Sequence, residues 1–317
     1  MQASPKPHAA AVASAKSLVT EQSLGRDVEF LCSEHCSGRG HGQKGSSEAA
    51  MFICRRFRDL GLQPVTPGAT YSLSRTHEGR RMHDIMGMVP ANTPAGRGRY
   101  IIVMAHYDGL GVIDGIPYPG ADSNASGVAA MLSLARMFAD VAACSTLDHN
   151  LIFVALDGKQ LSFAGAYILR DALASGALKD PQTHTAIRLS DISTVVNLDI
   201  LGGTSAPVRQ GQGEYIIMLG GTSDQRGWFE YVSRYSGIKI QASYDYYGSR
   251  GFTRLFLDKV SDQKPFRERG VPSVMFTSGI TLDTNKESDT PDKLDYGVLL
   301  RRTRAIYHWI DRLTYLL

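Results

Sequence analysis

His106 and Asp108 stand two residues apart at the end of an apolar run, and Asp122, Asp157 and Asp199 follow it on later turns and runs. An imidazole can offer one ring nitrogen to a metal while a nearby carboxylate fixes its tautomer from the other side, which gives His106-x-Asp108 a mechanical sense. Asp122 and Asp199 would add oxygen ligands of the kind zinc accepts. Each spacing alone is common, and polar residues collect at strand ends simply because loops begin there. What gives the set weight is one histidine and several aspartates converging on one edge.

That convergence depends on the elements that carry them. Tyr100–Ala105, Leu151–Leu156 and Ile192–Leu198 are short apolar runs rich in β-branched residues, as expected of strands buried on both faces. Tyr215–Leu219 and Val274–Thr277 read as further strands. Between them Ser126–Ala139 carries Val128, Met131, Leu132 and Ala135 at helical spacing, and Phe163–Leu173 reads as a second helix. A Thr222/Gln225 capping box opens another, closing near Gly237. Thr290-Pro291 should cap a long C-terminal helix reaching Leu317. Strands alternating with helices predict a three-layer αβα sandwich around a mixed, mainly parallel sheet. Ligands of such sheets bind beyond the carboxyl ends of the strands, where His106, Asp157 and Asp199 are expected.

The ordered motifs are His106-Tyr-Asp108, Gly120-Ala-Asp-Ser-Asn-Ala-Ser-Gly127, Phe153-Val-Ala-Leu-Asp-Gly158 and Val196-Asn-Leu-Asp-Ile-Leu-Gly-Gly203, with Ser261-Asp-Gln263 and Gly270-Val-Pro272 further on. Together they resemble the zinc-dependent exopeptidase family, which holds co-catalytic two-zinc aminopeptidases and the glutaminyl cyclases. The resemblance runs from about Cys36 to the C-terminal helix. It implies that His106 and Asp199 hold one zinc and that Asp122 bridges to a second.

The chain departs from that family where catalysis is done. Active members carry two glutamates after the Asp-Gly of the second strand, one the general base and one a zinc ligand; here Lys159 and Gln160 stand there. A histidine ligand usually stands four residues before a C-terminal Asp-Thr; here Asp289-Thr290 is preceded by Asn285. Both missing ligands belong to the second zinc, and neutral amides are poor substitutes. An ammonium is no general base unless its pKa falls by several units. Pointing inward, on the order of 5 Å from the remaining metal position, Lys159 would repel a divalent ion by roughly 6–7 kcal/mol at an effective dielectric of about 20. A metal-free balance is then available, with Lys159 and protonated His106 offsetting Asp122 and Asp199. At most one zinc is expected, at His106, Asp122 and Asp199, and a two-zinc centre is not.

Two functions follow from the resemblance. The first is an inactive aminopeptidase-like protein, as the ectodomains of nicastrin and the transferrin receptor are, using the old cleft to bind a peptide or small ligand through Lys159, Gln160, Asn285, Asp108 and Asp289. The second is a one-zinc aminopeptidase with an unorthodox base, for which Glu287 or Asp289 would have to reach in. Family members are mostly exported, which implies a secreted or periplasmic location.

Other signals are weaker. With 34 basic and 31 acidic residues, the charge balance gives no general affinity for nucleic acid. No run of about 18 apolar residues is evident, so no membrane span is expected. At 317 residues and 43% hydrophobic, the chain can bury a sizeable core. One domain is expected over 21–317, after a flexible segment over 1–20 in which Ala9–Ala15 only superficially resembles the end of a signal peptide. Gly40-His-Gly-Gln-Lys-Gly45 fits G-x-G-x-x-G, but Val28–Cys36 before it reads as a helix, so the dinucleotide fingerprint fails. Cys32, His35 and Cys36 on that helical face, with His41, could form a small metal site or simply a half-buried helix end. Tyr244–Tyr247 could line a cleft or cover a sheet edge. His308 and Trp309 read as packing residues.

Overall fold

The computed structural model describes residues 7–77, 79–204, 214–242 and 250–316. Helices α1 (His8–Ser17), α2 (Glu21–Cys32) and α3 (Lys44–Asp59) come first. Strands β1 (Ser72–His77), β2 (Arg80–Val89) and β3 (Tyr100–His106) follow, then a small hairpin, β4 (Gly111–Ile113) with β5 (Ile116–Tyr118), and helix α4 (Ser126–Cys144). The chain continues through β6 (Asn150–Leu156), α5 (Ala164–Ser175), β7 (Ile192–Leu198), β8 (Tyr215–Gly220), α6 (Ser223–Ser236) and β9 (Lys239–Ala242). It ends with α7 (Arg250–Asp258), the single turn α8 (Lys264–Arg267), β10 (Ser273–Thr277) and α9 (Tyr296–Leu316).

Eight strands form one sheet in the order β1-β2-β6-β3-β7-β10-β8-β9. The centre, β6-β3-β7-β10, is parallel, while β2 against β6 and β8 against β10 are antiparallel. Side chains alternate along each strand, and β3 divides its residues between two layers. Ile101, Val103 and Ala105 pack with residues of α3, α4 and α9; Ile102 and Met104 pack with residues of α5 and α8. Each such Val or Ile, fully removed from water, contributes roughly 1.5–3 kcal/mol. The result is the expected three-layer αβα sandwich around a mixed, mainly parallel sheet. It brings the carboxyl ends of β3, β6 and β7 side by side.

Several expectations are corrected. The N-terminal stretch expected to be frayed forms α1 from His8 onward and buries Ala11, Val12 and Ala15 in the core. Thr290-Pro291 opens a 3₁₀ turn, Pro291–Lys293, and α9 starts only at Tyr296, with Asp295 accepting the Val298 N–H at 2.9 Å as its cap. Helix α2 ends at Cys32, so His35 and Cys36 lie in the following turn and the three residues do not share a helical face. His41 pairs with Asp157 at 3.2 Å. The Thr222/Gln225 capping box and the left-handed Gly237 end to α6 are present as read. Tyr244–Tyr247 lies outside the described residues. Among those that are described, the segment Ala121–Cys144 is long and apolar enough to cross a membrane, and 67% of its most apolar window is buried within the fold. Its apolar side chains, including Val128, Met131, Leu132 and Ala135, are those packed against the sheet.

Candidate functional site

Each strand end delivers one charged side chain to a common floor. His106 closes β3 and is buried; its Nδ1 donates to the Asp108 backbone oxygen at 3.0 Å, leaving Nε2 3.6 Å from Asp199 Oδ1. Asp199 follows β7. Lys159 lies two residues beyond the Asp157 that follows β6, and its ammonium donates to Asp199 Oδ2. The Ser261 hydroxyl donates to the same oxygen at 2.6 Å, and Ser261 itself accepts from Asn197 Nδ2 at 2.8 Å. The loop that carries Lys159 is tightly wound, with Gly158, Ser162 and Phe163 all at positive φ. Ser162 and Phe163 bear side chains that disfavour this region; the Phe163 N–H to Lys159 oxygen bond at 3.2 Å closes the turn.

The electrostatics follow from burial and pairing. Burial and Lys159 both pull the His106 pKa down, but Asp108 and Asp199 prevail and hold it at about 9, so the ring is an imidazolium at neutral pH. Burial opposes the charge of Asp199, yet Lys159 and His106 hold its carboxyl far below the usual range. Burial likewise works against the Lys159 charge, and Asp199 with Asp262 outweighs it and raises the pKa. Asp262 is wholly buried, neither of its oxygens has a hydrogen-bond partner among the described residues, and burial lifts it to about 6 despite Lys159 and His106. The carboxylates facing the two cations are therefore Asp199, Asp108 and Asp262, not the Asp122 and Asp199 of the sequence reading.

Asp122 has a different setting. Its Oδ1 accepts the backbone N–H of Gly202 at 2.8 Å and of Gly203 at 2.9 Å, and its Oδ2 has no partner among the described residues. Burial raises its pKa to about 6. Arg302, buried in α9, donates to the Leu201 and Gly203 oxygens at 2.7 Å each and so holds the loop that cradles Asp122. Arg39, equally buried, donates to the oxygens of Leu31, Tyr107, Pro119 and Gly120 and holds the approach to Asp122 from the other side.

The remaining expected residues divide. Lys159, Asp199, Gln160 and Asn285 line one cavity of about 520 Å³, together with Phe252, Leu255, Phe256, Val260, Met275 and Ile280 among others. Asp108 and Asp289 are buried and do not line it. Asp108 accepts the Gln160 N–H at 3.3 Å, and Asp289 accepts the N–H groups of Asp122 and Ser123. Asp289 braces backbone, and Asp108 does so while also facing the His106 ring at 3.5 Å. Glu287 is exposed and does not line the cavity, and Asp289 is already engaged, so neither is placed as a base. Sequence reasoning noted Ser261-Asp262-Gln263 as a motif but missed that Ser261 and Asp262 belong to the floor. Two adjacent polar residues just before the Pro265 turn were the available signal.

As arranged, the side chains do not fit a zinc ion. Among the described residues, no three His, Cys, Asp or Glu side chains are placed to hold one ion together. Lys159 and Ser261 both donate to one oxygen of Asp199, so the ammonium would stand beside any ion held there and repel it. The same holds for the Cys32, His35, Cys36 and His41 group.

Known proteins share this fold. The chain is 25% identical over 296 residues to BOS complex subunit ncln of Danio rerio, covering 86% of this chain and 48% of that protein. It thus spans about half the length of that relative. BSAP, a zinc aminopeptidase from Bacillus subtilis, superposes with a TM-score of 0.68 at 14% identity, over 93% of this chain and 95% of that one. The glutaminyl cyclase of Fimbriiglobus ruber superposes with a TM-score of 0.69 at 17% identity, over 92% and 95%. At those identities the two structures establish a shared fold. The family model for Peptidase family M28 matches residues 84–310, which takes in every strand from β3 to β10 and the whole charged floor, and the chain belongs to that family.

Proposed function

We propose that this chain is a non-catalytic member of family M28 that uses its cleft to bind a peptide or other small ligand. One observation carries the reading: the Lys159 ammonium rests on the carboxylate of Asp199, in the place where the family's resemblance puts a general base beside a metal ligand. With Asp199 and Asp262 raising its pKa, Lys159 stays protonated and cannot take a proton from an attacking water. Gln160 and Asn285 put neutral amides where the second ion would need a carboxylate and an imidazole. The likeness to a BOS complex subunit supports a role in an assembly rather than in turnover. The resemblance also supports a location outside the cytoplasm.

A second reading, a one-zinc aminopeptidase at His106, Asp122 and Asp199, draws on two buried atoms with no hydrogen-bond partner among the described residues, His106 Nε2 and Asp122 Oδ2. Metal analysis of protein purified without chelator, with an aminoacyl-anilide assay, separates the two. The first reading expects zinc well below one equivalent and no turnover. One equivalent of zinc, with turnover abolished in His106→Ala, would establish the second.

A further inference from the structure

The cavity is lined by two unlike sets of side chains, and they define a ligand. We propose that it takes an N-blocked apolar residue: an apolar side chain bearing a neutral carbonyl acceptor and no free ammonium. This rests on the binding role proposed above and specifies its chemistry.

The head group follows from who donates to whom. Asp199 Oδ2 already accepts from Lys159 and from Ser261, and its Oδ1 faces His106 Nε2. Two donors thus already converge on one oxygen of that carboxylate, and its charge is shared between the ammonium and the neighbouring imidazole. Lys159 has three N–H donors; one is directed at Asp199, and its side chain, 16% exposed, forms part of the cavity wall. The charged pole therefore presents hydrogen-bond donors. A free α-amine would meet a like charge, whereas a carbonyl oxygen completes the ammonium's bonding. A carboxylate head is the weaker fit, because Asp199 and Asp262 already place negative charge beside Lys159. Gln160 and Asn285, each with one acceptor and two donors, line the same cavity and add uncharged partners for a peptide group.

The tail follows from the apolar part of the lining. Phe252, Leu255 and Phe256 of α7 recur at helical spacing and line the cavity with Val260, Met275 and Ile280. About 520 Å³ lies within the range of small-molecule sites and suits a ligand of one or two residues.

Calorimetric titration of the whole chain with N-acetyl-leucinamide, leucinamide, N-acetyl-leucine and N-acetyl-glycinamide tests this. N-acetyl-leucinamide should bind tightest, with leucinamide weaker by about tenfold or more, the scale of one hydrogen bond to a charged group. N-acetyl-leucine and N-acetyl-glycinamide should also be weaker. Lys159→Met should abolish or reverse the preference over the free amine. Leu255→Asp, on an accessible helix face, should weaken N-acetyl-leucinamide while leaving head-group order intact. Should Lys159→Met fail to fold, the order of the four probes on the native protein decides alone. Leucinamide or N-acetyl-leucine binding as tightly as N-acetyl-leucinamide, or no probe binding at all, overturns the inference. Zinc-dependent release of leucine from leucinamide would instead overturn the non-catalytic reading.

Discussion

The carboxylate of Asp289 accepts the backbone N–H of Asp122 at 2.7 Å, across 167 residues of sequence, and its second oxygen accepts the N–H of Ser123 at 3.0 Å. The loop before α9 thereby fixes the turn that opens α4. Asp289→Ala would leave both N–H groups without acceptors, that of Asp122 in a buried residue. At about 1–3 kcal/mol for each unsatisfied buried group, less where water can reach Ser123, the expected loss is about 2–4 kcal/mol. Urea unfolding measures it. A loss under about 0.5 kcal/mol would mean that water replaces the carboxylate.

Lys159 and Asp199 form a pair too buried to be split cheaply. Lys159→Met should destabilise by about 2–4 kcal/mol, below the upper range for a broken buried pair because His106 remains beside Asp199. Adding Asp199→Asn removes the stranded charge and should recover part of the loss. A double-mutant cycle reads the coupling, and additivity of the two changes would dissociate the pair energetically.

The first helix carries a pH dependence of its own. His8 Nε2 lies 3.0 Å from Asp311 Oδ1 on α9. The hydrogen bond to Asp311 raises the His8 pKa against the opposing effect of burial, so the folded value lies above the unfolded one. Its stabilisation is then fully present below the ordinary imidazole pKa of about 6.5 and is lost as pH rises through the folded value. The pair is partly exposed, so only about 0.5 kcal/mol is at stake. Amide exchange within α1 should quicken relative to α9 between pH 6 and pH 9, after correction for intrinsic rates, and His8→Gln should remove that change. Equal dependence in the variant would assign it elsewhere.

What the sequence made legible, and what it did not, has a physical pattern. Strands β3, β6 and β7 are buried on both faces, so their apolar runs are continuous and end close to where the structure ends them. The edge strand β1 reads Ser-Leu-Ser-Arg-Thr-His, and little of it packs, so no such run marks it. Helix α1 is half alanine with little polar contrast between its faces, and reads as a frayed end although it packs on α4. At the site, His106, Lys159 and Asp199 were legible because strand ends position them. The roles of Asp108 and Asp289 were not. A carboxylate that binds a ligand and one that satisfies backbone N–H groups look alike in sequence. Asp262 and Ser261 reach the floor from more than sixty residues beyond Asp199, a pairing that only the fold supplies.

The loops around the floor are braced by guanidinium groups, and this predicts how the protein responds to metal removal. Arg302 donates to the oxygens of Tyr215, Leu201 and Gly203, and Arg39 to those of Leu31, Tyr107, Pro119 and Gly120, all from buried side chains. Burial lowers the Arg302 pKa to about 10, still leaving it charged at neutral pH, with Asp122 as a nearby counter-charge. Arg302→Met would strip donors from three carbonyls and the counter-charge from Asp122, at a cost of about 3–5 kcal/mol. If these side chains carry the stability that an ion would otherwise supply, chelator should leave the native melting temperature unchanged while Arg302→Met lowers it by several degrees. For a fold of this size about 1 kcal/mol corresponds to roughly 2 °C. A fall of similar size on adding chelator to the native protein would show that a bound ion, rather than Arg302 and Arg39, holds the loops together.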